Sequence, residues 1–267
     1  MNKLNKSNLF SLFNRVIIVT GGYGYIGQQV VVDLLNCGAK VQCIGRSMKK
    51  LVTFKESVAV ELHDNLTLWN ADLNDEESVA TLFEKIEKKF IKIDGLFNNA
   101  ASIKTRGINL DLSHDQWIDG FRDILSSTFL CTKYAIPIMQ KEKKGSIVNN
   151  ASLFGELSPI PQMYLDLNNE PPVFLPPAKA GVIQFTKYMS TILAKDNIRV
   201  NTVSPGWFPK KRGPERLDYM EEIESRIPMN RIGKPVELSG AIIYLMSGAS
   251  SYVTGHNLVI DGGYSAW

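Results

Sequence analysis

The thirteen residues from Arg15 to Gly27, RVIIVTGGYGYIG, constrain the fold more than any other stretch of this chain. Val16 to Val19 is short, continuously apolar and β-branched, as expected of a strand buried on both faces. It runs into Thr20-Gly21-Gly22-Tyr23-Gly24-Tyr25-Ile26-Gly27, after which Ile26, Val30, Val31, Leu34 and Leu35 recur at helical spacing until Cys37-Gly38. Strand, glycine turn and helix in that order form a cradle for a dinucleotide pyrophosphate: the glycines allow a tight turn, close backbone approach and close helix–strand packing. The free N–H groups and positive dipole end of the helix favour the anion. A plain tight βα turn is the competing reading; the strand before the turn and the helix after it weigh against that. Thr20, Gly21, Tyr23, Gly24, Tyr25, Ile26 and Gly27 are therefore the first candidate ligand contacts.

At 267 residues the chain can bury one large α/β core, here expected as residues 15–267 with residues 1–14 as an N-terminal extension. A hydrophobic content of 44% and a net charge of +3 fit an ordinary globular protein and give no argument for nucleic acid or an anionic membrane. Cys37, Cys43 and Cys131 are widely spaced, an odd set of apolar-flanked thiols that suits a reducing cytoplasm. The first fourteen residues hold only a broken apolar patch, so no signal core or membrane span is expected there.

Strands and helices alternate along the chain, which predicts an α/β, Rossmann-type, doubly wound parallel sheet with helices on both faces. Lys40 to Ile44 reads as the second strand. An acidic side chain just after this strand favours NAD, whereas a basic one accommodates the 2′-phosphate of NADP. Here Gly45 stands where the acid would be, followed by Arg46 and Ser47, with Lys49 and Lys50 close behind. The expected cofactor is NADP(H), with NAD(H) as the alternative. Leu66 to Trp69 is the third strand. Asn74 to Phe90 reads as an amphipathic helix capped by Asn74, and Ile93 to Phe97 as the fourth strand, ending at Asn98-Asn99. Asn98 is expected to brace the strand end and to face the ligand crevice. A long helical region over Ser113–Gln140 precedes a fifth strand, Ser146–Ala151, which delivers Ser152 to the sheet edge. From Ser152 to Lys179 the chain is rich in proline and reads as a loop. Helices over Ala178–Lys195, Glu215–Arg226 and Pro235–Met246, and strands over Ile198–Val203 and Leu258–Ile260, complete the pattern.

Together these stretches resemble the short-chain dehydrogenase/reductase family. The matching pieces are TGGYGYIG at 20–27, Asp72-Leu73, NNAA at 98–101, Ser152 after its strand, AKAGVIQFTK at 178–187, NIRVNTVSPG at 197–206, GKPVELSGAIIYLMS at 233–247 and TGHNLVIDGGY at 254–264. The G-x-x-G-x-x-G spacing is similar to the family's extended, sugar-nucleotide branch; everything downstream is similar to the shorter branch. The resemblance implies hydride transfer between NAD(P)(H) and an alcohol or carbonyl carbon of a small-molecule substrate. It also implies a homodimer or homotetramer built on the two long helices and the C-terminal strand. Cofactor contacts follow from it at Asp72, Leu73, Asn98, Ala100, Lys179, Pro205 and Gly206. A sugar or nucleotide sugar, in carbohydrate biosynthesis, is the expected substrate class.

The departures carry as much information as the matches. Family chemistry uses a tyrosine hydroxyl as general acid/base four residues before a lysine, with a serine and a helix asparagine in support. Lys179 and Ser152 match the lysine and serine, but Leu175 stands at the tyrosine position and Ile124 at the asparagine position. Positioned acid/base catalysis contributes ~10²–10⁴-fold, so the loss is not small. Three explanations remain open. Tyr164, or less directly Asp166 or Glu170, folds back from the loop and replaces the tyrosine; Lys179 itself carries the proton, its pKa lowered by apolar neighbours; or the chain is a catalytically impaired dinucleotide-binding protein, a sensor or inactive partner subunit. Lys210, Lys211 and Arg212 sit where the family's substrate lid begins and read either as phosphate contacts or as a solvated basic loop.

Overall fold

A computed structural model describes residues 9–103, 110–160, 171–210 and 217–267. Seven parallel strands form one sheet: β1 (Val16–Thr20), β2 (Lys40–Gly45), β3 (Leu66–Asn70), β4 (Gly95–Asn98), β5 (Gly145–Asn150), β6 (Ile198–Pro205) and β7 (Asn257–Ile260). Their spatial order is β3-β2-β1-β4-β5-β6-β7. The chain winds outward from β1 through β2 to β3, then returns to place β4 on the other side of β1. A crevice opens beyond the carboxyl ends of β1 and β4, where ligands bind in open α/β sheets.

Period-two alternation sorts the strand residues between two cores. Ile17, Val19, Val41, Phe97, Val148 and Val203 face α1 (Tyr25–Asn36), α2 (Met48–Ser57) and α8 (Pro235–Met246). Ile18, Ile44, Leu96, Ile147 and Val200 face α3 (Glu76–Phe90), α5 (Ser127–Lys141) and the end of α6 (Leu175–Leu193). Between the layers α4 (His114–Phe121) runs into α5 through one π turn, Arg122–Ser126, and α7 (Leu217–Ser225) lies over the carboxyl edge with Met220 and Ile223 buried.

Several expectations shift. Residues 9–14 are joined to the domain: Leu12 is fully buried, its N–H donates to the Cys37 carbonyl, and Leu9 O accepts from Ala249 N. Helix α2 begins where only a basic start was read, with Ser47 as its cap accepting from Lys50 N. Asp75, not Asn74, caps α3, its side chain accepting from Glu77 N. The proline-rich loop ends earlier than expected, because Leu175 already opens α6 with Pro176 and Pro177 in its first turn. Prolines are tolerated there, since first-turn N–H groups have no intrahelical acceptor to lose. Among the described residues no helix is long and apolar enough to cross a membrane, and no cluster of metal-ligating side chains occurs.

Candidate active site

Helix α1 starts at the crevice, and among the described residues no side chain caps its amides. Gly24 is its N-cap, makes no side-chain capping bond, and the first turn carries no acid. Its free N–H groups suit a phosphate. Gly27 lets the helix approach the turn: a Cβ there would lie 2.9 Å from Gly22 Cα and nearer still to the Gly21 carbonyl oxygen. Gly21 holds a φ of +64°, in the left-handed region.

The turn lines one wall of a cavity of about 470 Å³, with Gly21, Tyr23, Gly24, Tyr25, Ile26 and Gly27 all contributing. Arg46, Asp72, Leu73 and Ala100 line it as well, so ten sequence-predicted cofactor residues converge on one chamber. The exposed Arg46 guanidinium has no hydrogen-bond or ion-pair partner among the described residues. Lys50 Nζ lies over the Tyr23 ring, 5.9 Å from the centroid. A Cβ at Gly45 would strike that same ring, so this last position of β2 is closed to an acidic side chain while Tyr23 stays in place.

The remaining predicted contacts do not line the chamber. Thr20 is buried, and its Oγ1 accepts from Asn99 N at 2.9 Å and Ala100 N at 3.0 Å, tying β1 to β4 at the switch point. Asn98 points inward, donating to Thr132 Oγ1 at 3.1 Å and Asn149 Oδ1 at 2.8 Å; the expectation that it faces the crevice is corrected, because the strand pleat turns the next residue, Asn99, to the cavity. Ser47 serves the α2 cap. Pro205 and Gly206 sit at the β6–β7 edge, Gly206 N donating to Ile260 O, and the chain beyond them brings Phe208 and Lys210 to the wall instead. Asn74, Asp123, Ser127 and Asn150 were not predicted from sequence as site residues and do line it. The π turn accounts for two of these. It offsets the helix so that Asp123 and Ser127 reach the cavity, and Ser127 Oγ and Thr128 Oγ1 donate back to the carbonyls it loosens.

Ser152 and Lys179, the residues at the family's serine and lysine positions, are not among those lining the cavity. Ser152 follows β5, its Oγ accepting from Phe154 N at 3.2 Å, and among the described residues its own O–H has no acceptor. Gly155 packs directly on the α6 backbone at Lys179, which fixes the serine loop against that helix. Lys179 is 7% exposed, one layer beneath the cavity wall, and its Nζ donates to Asn150 O at 2.6 Å. Burial pushes its pKa down from 10.5 to about 8. Leu175, one turn earlier on the same face, packs with Ile124, Phe174 and Ala178 in an apolar cluster. Tyr164, Asp166, Glu170, Lys211 and Arg212 lie outside the described residues.

A family model described as Enoyl-(Acyl carrier protein) reductase matches residues 24–265. The chain belongs to the short-chain dehydrogenase/reductase family. This short-chain dehydrogenase/reductase is 32% identical to D-arabinitol 2-dehydrogenase [ribulose-forming] of Scheffersomyces stipitis, over 97% of this chain and 96% of that one. Two solved structures superpose closely. NADPH-dependent 3-quinuclidinone reductase from Rhodotorula rubra gives a TM-score of 0.86 at 27% identity, covering 97% of this chain and 94% of that one. A short chain dehydrogenase from Leptospira borgpetersenii serovar Hardjo-bovis with bound NAD+ gives 0.85 at 28%, covering 99% and 97%. The chain is thus an oxidoreductase of a family acting on CH–OH groups, and relatives with either nicotinamide dinucleotide exist.

If Arg46 reads the 2′-phosphate, Arg46→Ala should weaken NADPH binding about tenfold or more, the worth of a charge-assisted hydrogen bond, and leave NADH binding within about twofold. Fluorescence titration with both dinucleotides checks this. Equal losses would remove Arg46 from cofactor choice.

Proposed function

We propose that the protein interconverts a secondary alcohol and a ketone on a small polyhydroxylated substrate, a sugar alcohol or sugar, with NADP(H) held in the glycine cradle. One observation carries the reading: buried Lys179, bonded to Asn150 O beside Ser152, stands at the same sheet edge as the uncapped α1 N-terminus and its cavity. The residues fit the cofactor, since the cradle is one that a Cβ at Gly27 would fill and Arg46 is free to meet a phosphate. Tyr25 to Gly27 would hold the pyrophosphate, Arg46 the 2′-phosphate, and Asp72 with Leu73 the adenine end. A bound nicotinamide dinucleotide would supply the hydride acceptor or donor.

This chain's own residues then have to place the substrate oxygen and handle one proton. Ser152 donates its O–H to that oxygen. Lys179 holds the proton at Nζ, and with a pKa near 8 it can exist in either state close to neutrality, which an ordinary lysine does not. Leu175 and Ile124 exclude water around the ammonium and keep that pKa low. The D-arabinitol dehydrogenase relative supports a polyol as the substrate. The same reading takes the outer face of α5 and α6, where Phe129 and Tyr188 are 47% and 65% exposed, as the contact between copies in a dimer or tetramer. It places the protein, with its free thiols, in the cytoplasm.

A second reading, a dinucleotide binder without turnover, is favoured by one observation: both missing catalytic positions are filled by packed hydrocarbon. Assays of D-arabinitol and D-mannitol oxidation with NADP+, and of ketose reduction with NADPH, separate the two. Leu175→Tyr sharpens the comparison, because it returns a hydroxyl one helical turn from Lys179. It should raise kcat by about 10–10²-fold, at a stability cost of about 1–3 kcal/mol for overpacking. A folded, NADPH-binding variant with no gain would favour the binder.

A further inference from the structure

The amino ends of β1, β5 and β6 open on a second cavity, of about 640 Å³, at the end of the sheet opposite the glycine turn. The five residues of β1 set it roughly 16 Å from that turn, at about 3.3 Å per residue. Arg15, Lys144 and Arg199 line it, with Asp94 as the one acid among its described lining residues. Asp94 is already engaged: its Oδ2 accepts from Val16 N at 2.9 Å and meets Lys92 Nζ at 2.9 Å. Neither guanidinium has an ion-pair partner among the described residues. Burial, and after it the charge of Arg15, lower the Arg199 pKa from 12.5 to about 10, so the two cations feel each other. Backbone carbonyls hold them in place. Arg15 Nη1 donates to Met246 O at 2.8 Å, while Arg199 donates to Leu245 O at 2.7 Å and to Ser247 O and Val253 O at 3.3 Å. The end of α8 and the turn after it thus draw one arginine from β1 and one from β6 to a single place. A guanidinium carries five N–H donors, so four on Arg15 and at least two on Arg199 are left without an acceptor among the described residues.

Like charges brought together without a counter-ion are costly, and an anion arriving from outside removes that cost. The free donors of two planar forks suit the oxygens of a phosphate, and the exposed Lys144 ammonium adds a third cation. A single carboxylate shares part of this chemistry, but three cations against one engaged acid favour the higher charge of a phosphate. We propose that this cavity is an anion site, separate from the glycine cradle, that takes a phosphate group. Two sources share the chemistry, inorganic phosphate and the phosphate ester of a small metabolite. The cavity lies within the range of about 300–1,000 Å³ usual for small-molecule pockets, which leaves room for either. The competing reading is that both arginines only clamp the end of α8, an arrangement that needs no ligand.

Calorimetry on the full chain at constant ionic strength tests it, with inorganic phosphate and ribose 5-phosphate as probes and sodium chloride as the control. Arg15→Gln keeps a side-chain donor and removes the charge. A phosphate Kd raised ~10-fold in this variant, and about threefold in Lys144→Gln, supports the site. Ribose 5-phosphate bound ~10-fold tighter than inorganic phosphate, with the same dependence on Arg15, assigns an ester; equal affinities assign the free ion. Gly27→Val, which crowds the glycine turn at the other end of the sheet, should leave both affinities unchanged. Phosphate binding lost in Gly27→Val and kept in Arg15→Gln would put the anion at α1 and overturn the proposal. Wild type that binds neither probe, or that answers chloride as it answers phosphate, overturns it too. So does Arg15→Gln with a lower melting temperature and unaltered phosphate affinity, which leaves the arginines a clamp on α8. If Arg15→Gln does not fold, Lys144→Gln decides, because that side chain is exposed, and unchanged phosphate affinity in it overturns the site.

Discussion

Replacing Lys179 with methionine should abolish turnover and yet stabilise the unliganded protein at neutral pH. The buried ammonium is what makes this side chain useful and also what makes it expensive. A fall in pKa from 10.5 to about 8 on folding corresponds to about 3 kcal/mol at ~1.4 kcal/mol per pKa unit. The sign follows from proton counting. Between pH 8 and 10.5 the unfolded chain holds this proton more tightly than the folded one, so wild-type stability rises with pH across that window. Below pH 8 the full cost of the buried charge applies; above 10.5 it is gone. Methionine is free of that cost but leaves Asn150 O without its donor, which returns about 1–3 kcal/mol. The net expectation is a gain of up to about 2 kcal/mol at pH 7 that shrinks as pH climbs past 8. Urea denaturation at pH 7 and pH 10 checks it. A variant less stable than wild type by the same margin at both pH values would show that the ammonium is not held charged and dry.

The second large effect belongs to the glycine turn. In Gly27→Val the new Cβ meets only backbone, Gly22 Cα at 2.9 Å and the Gly21 carbonyl closer still, and neither can yield without opening the turn. NADPH affinity should fall by ~100-fold or more, about 2.7 kcal/mol. Gly240 in α8 supplies the contrast, because nothing lies within 4 Å of a Cβ placed there. Gly240→Ala should leave binding unchanged and add up to about 1 kcal/mol of helix stability. Fluorescence titration and thermal melts on both variants decide the matter. If Gly27→Val binds NADPH like wild type, α1 does not hold the pyrophosphate.

Most of this architecture was legible in the chain because it rests on periodicity and on backbone needs. The β-branched run at Val16–Val19, the glycines after it and the helical spacing of Val30, Val31, Leu34 and Leu35 each follow from local geometry, and the strand, the turn and the helix form where they predict, with the turn on a cavity wall. What was not legible depends on which way a polar side chain turns. Asn98 and Asn99 are adjacent identical residues, and only the register of β4 against β5, pairing Asn98 with Asn149, sends the first inward and the second to the crevice. Asp123 and Ser127 reach the cavity through a π turn that has no sequence signature in the 3.6-residue period. Asn150 lines the cavity with its amide donating to Asn99 Oδ1, a contact between residues 51 apart in sequence. Pro176 and Pro177 misled in the other direction: a proline pair reads as loop, although the first turn of a helix accepts it.

The central claim is that a chain with leucine at the tyrosine position still moves a proton, through Lys179. The rate of NADP+ reduction by D-arabinitol from pH 6 to pH 10 tests it most directly. Alcohol oxidation needs the proton acceptor unprotonated, so the rate should climb tenfold per pH unit below the lysine pKa, level off above about pH 8, and vanish in Lys179→Met. Tight NADPH binding with no NADPH formation at any pH, or an inflection that survives in Lys179→Met, would contradict the claim.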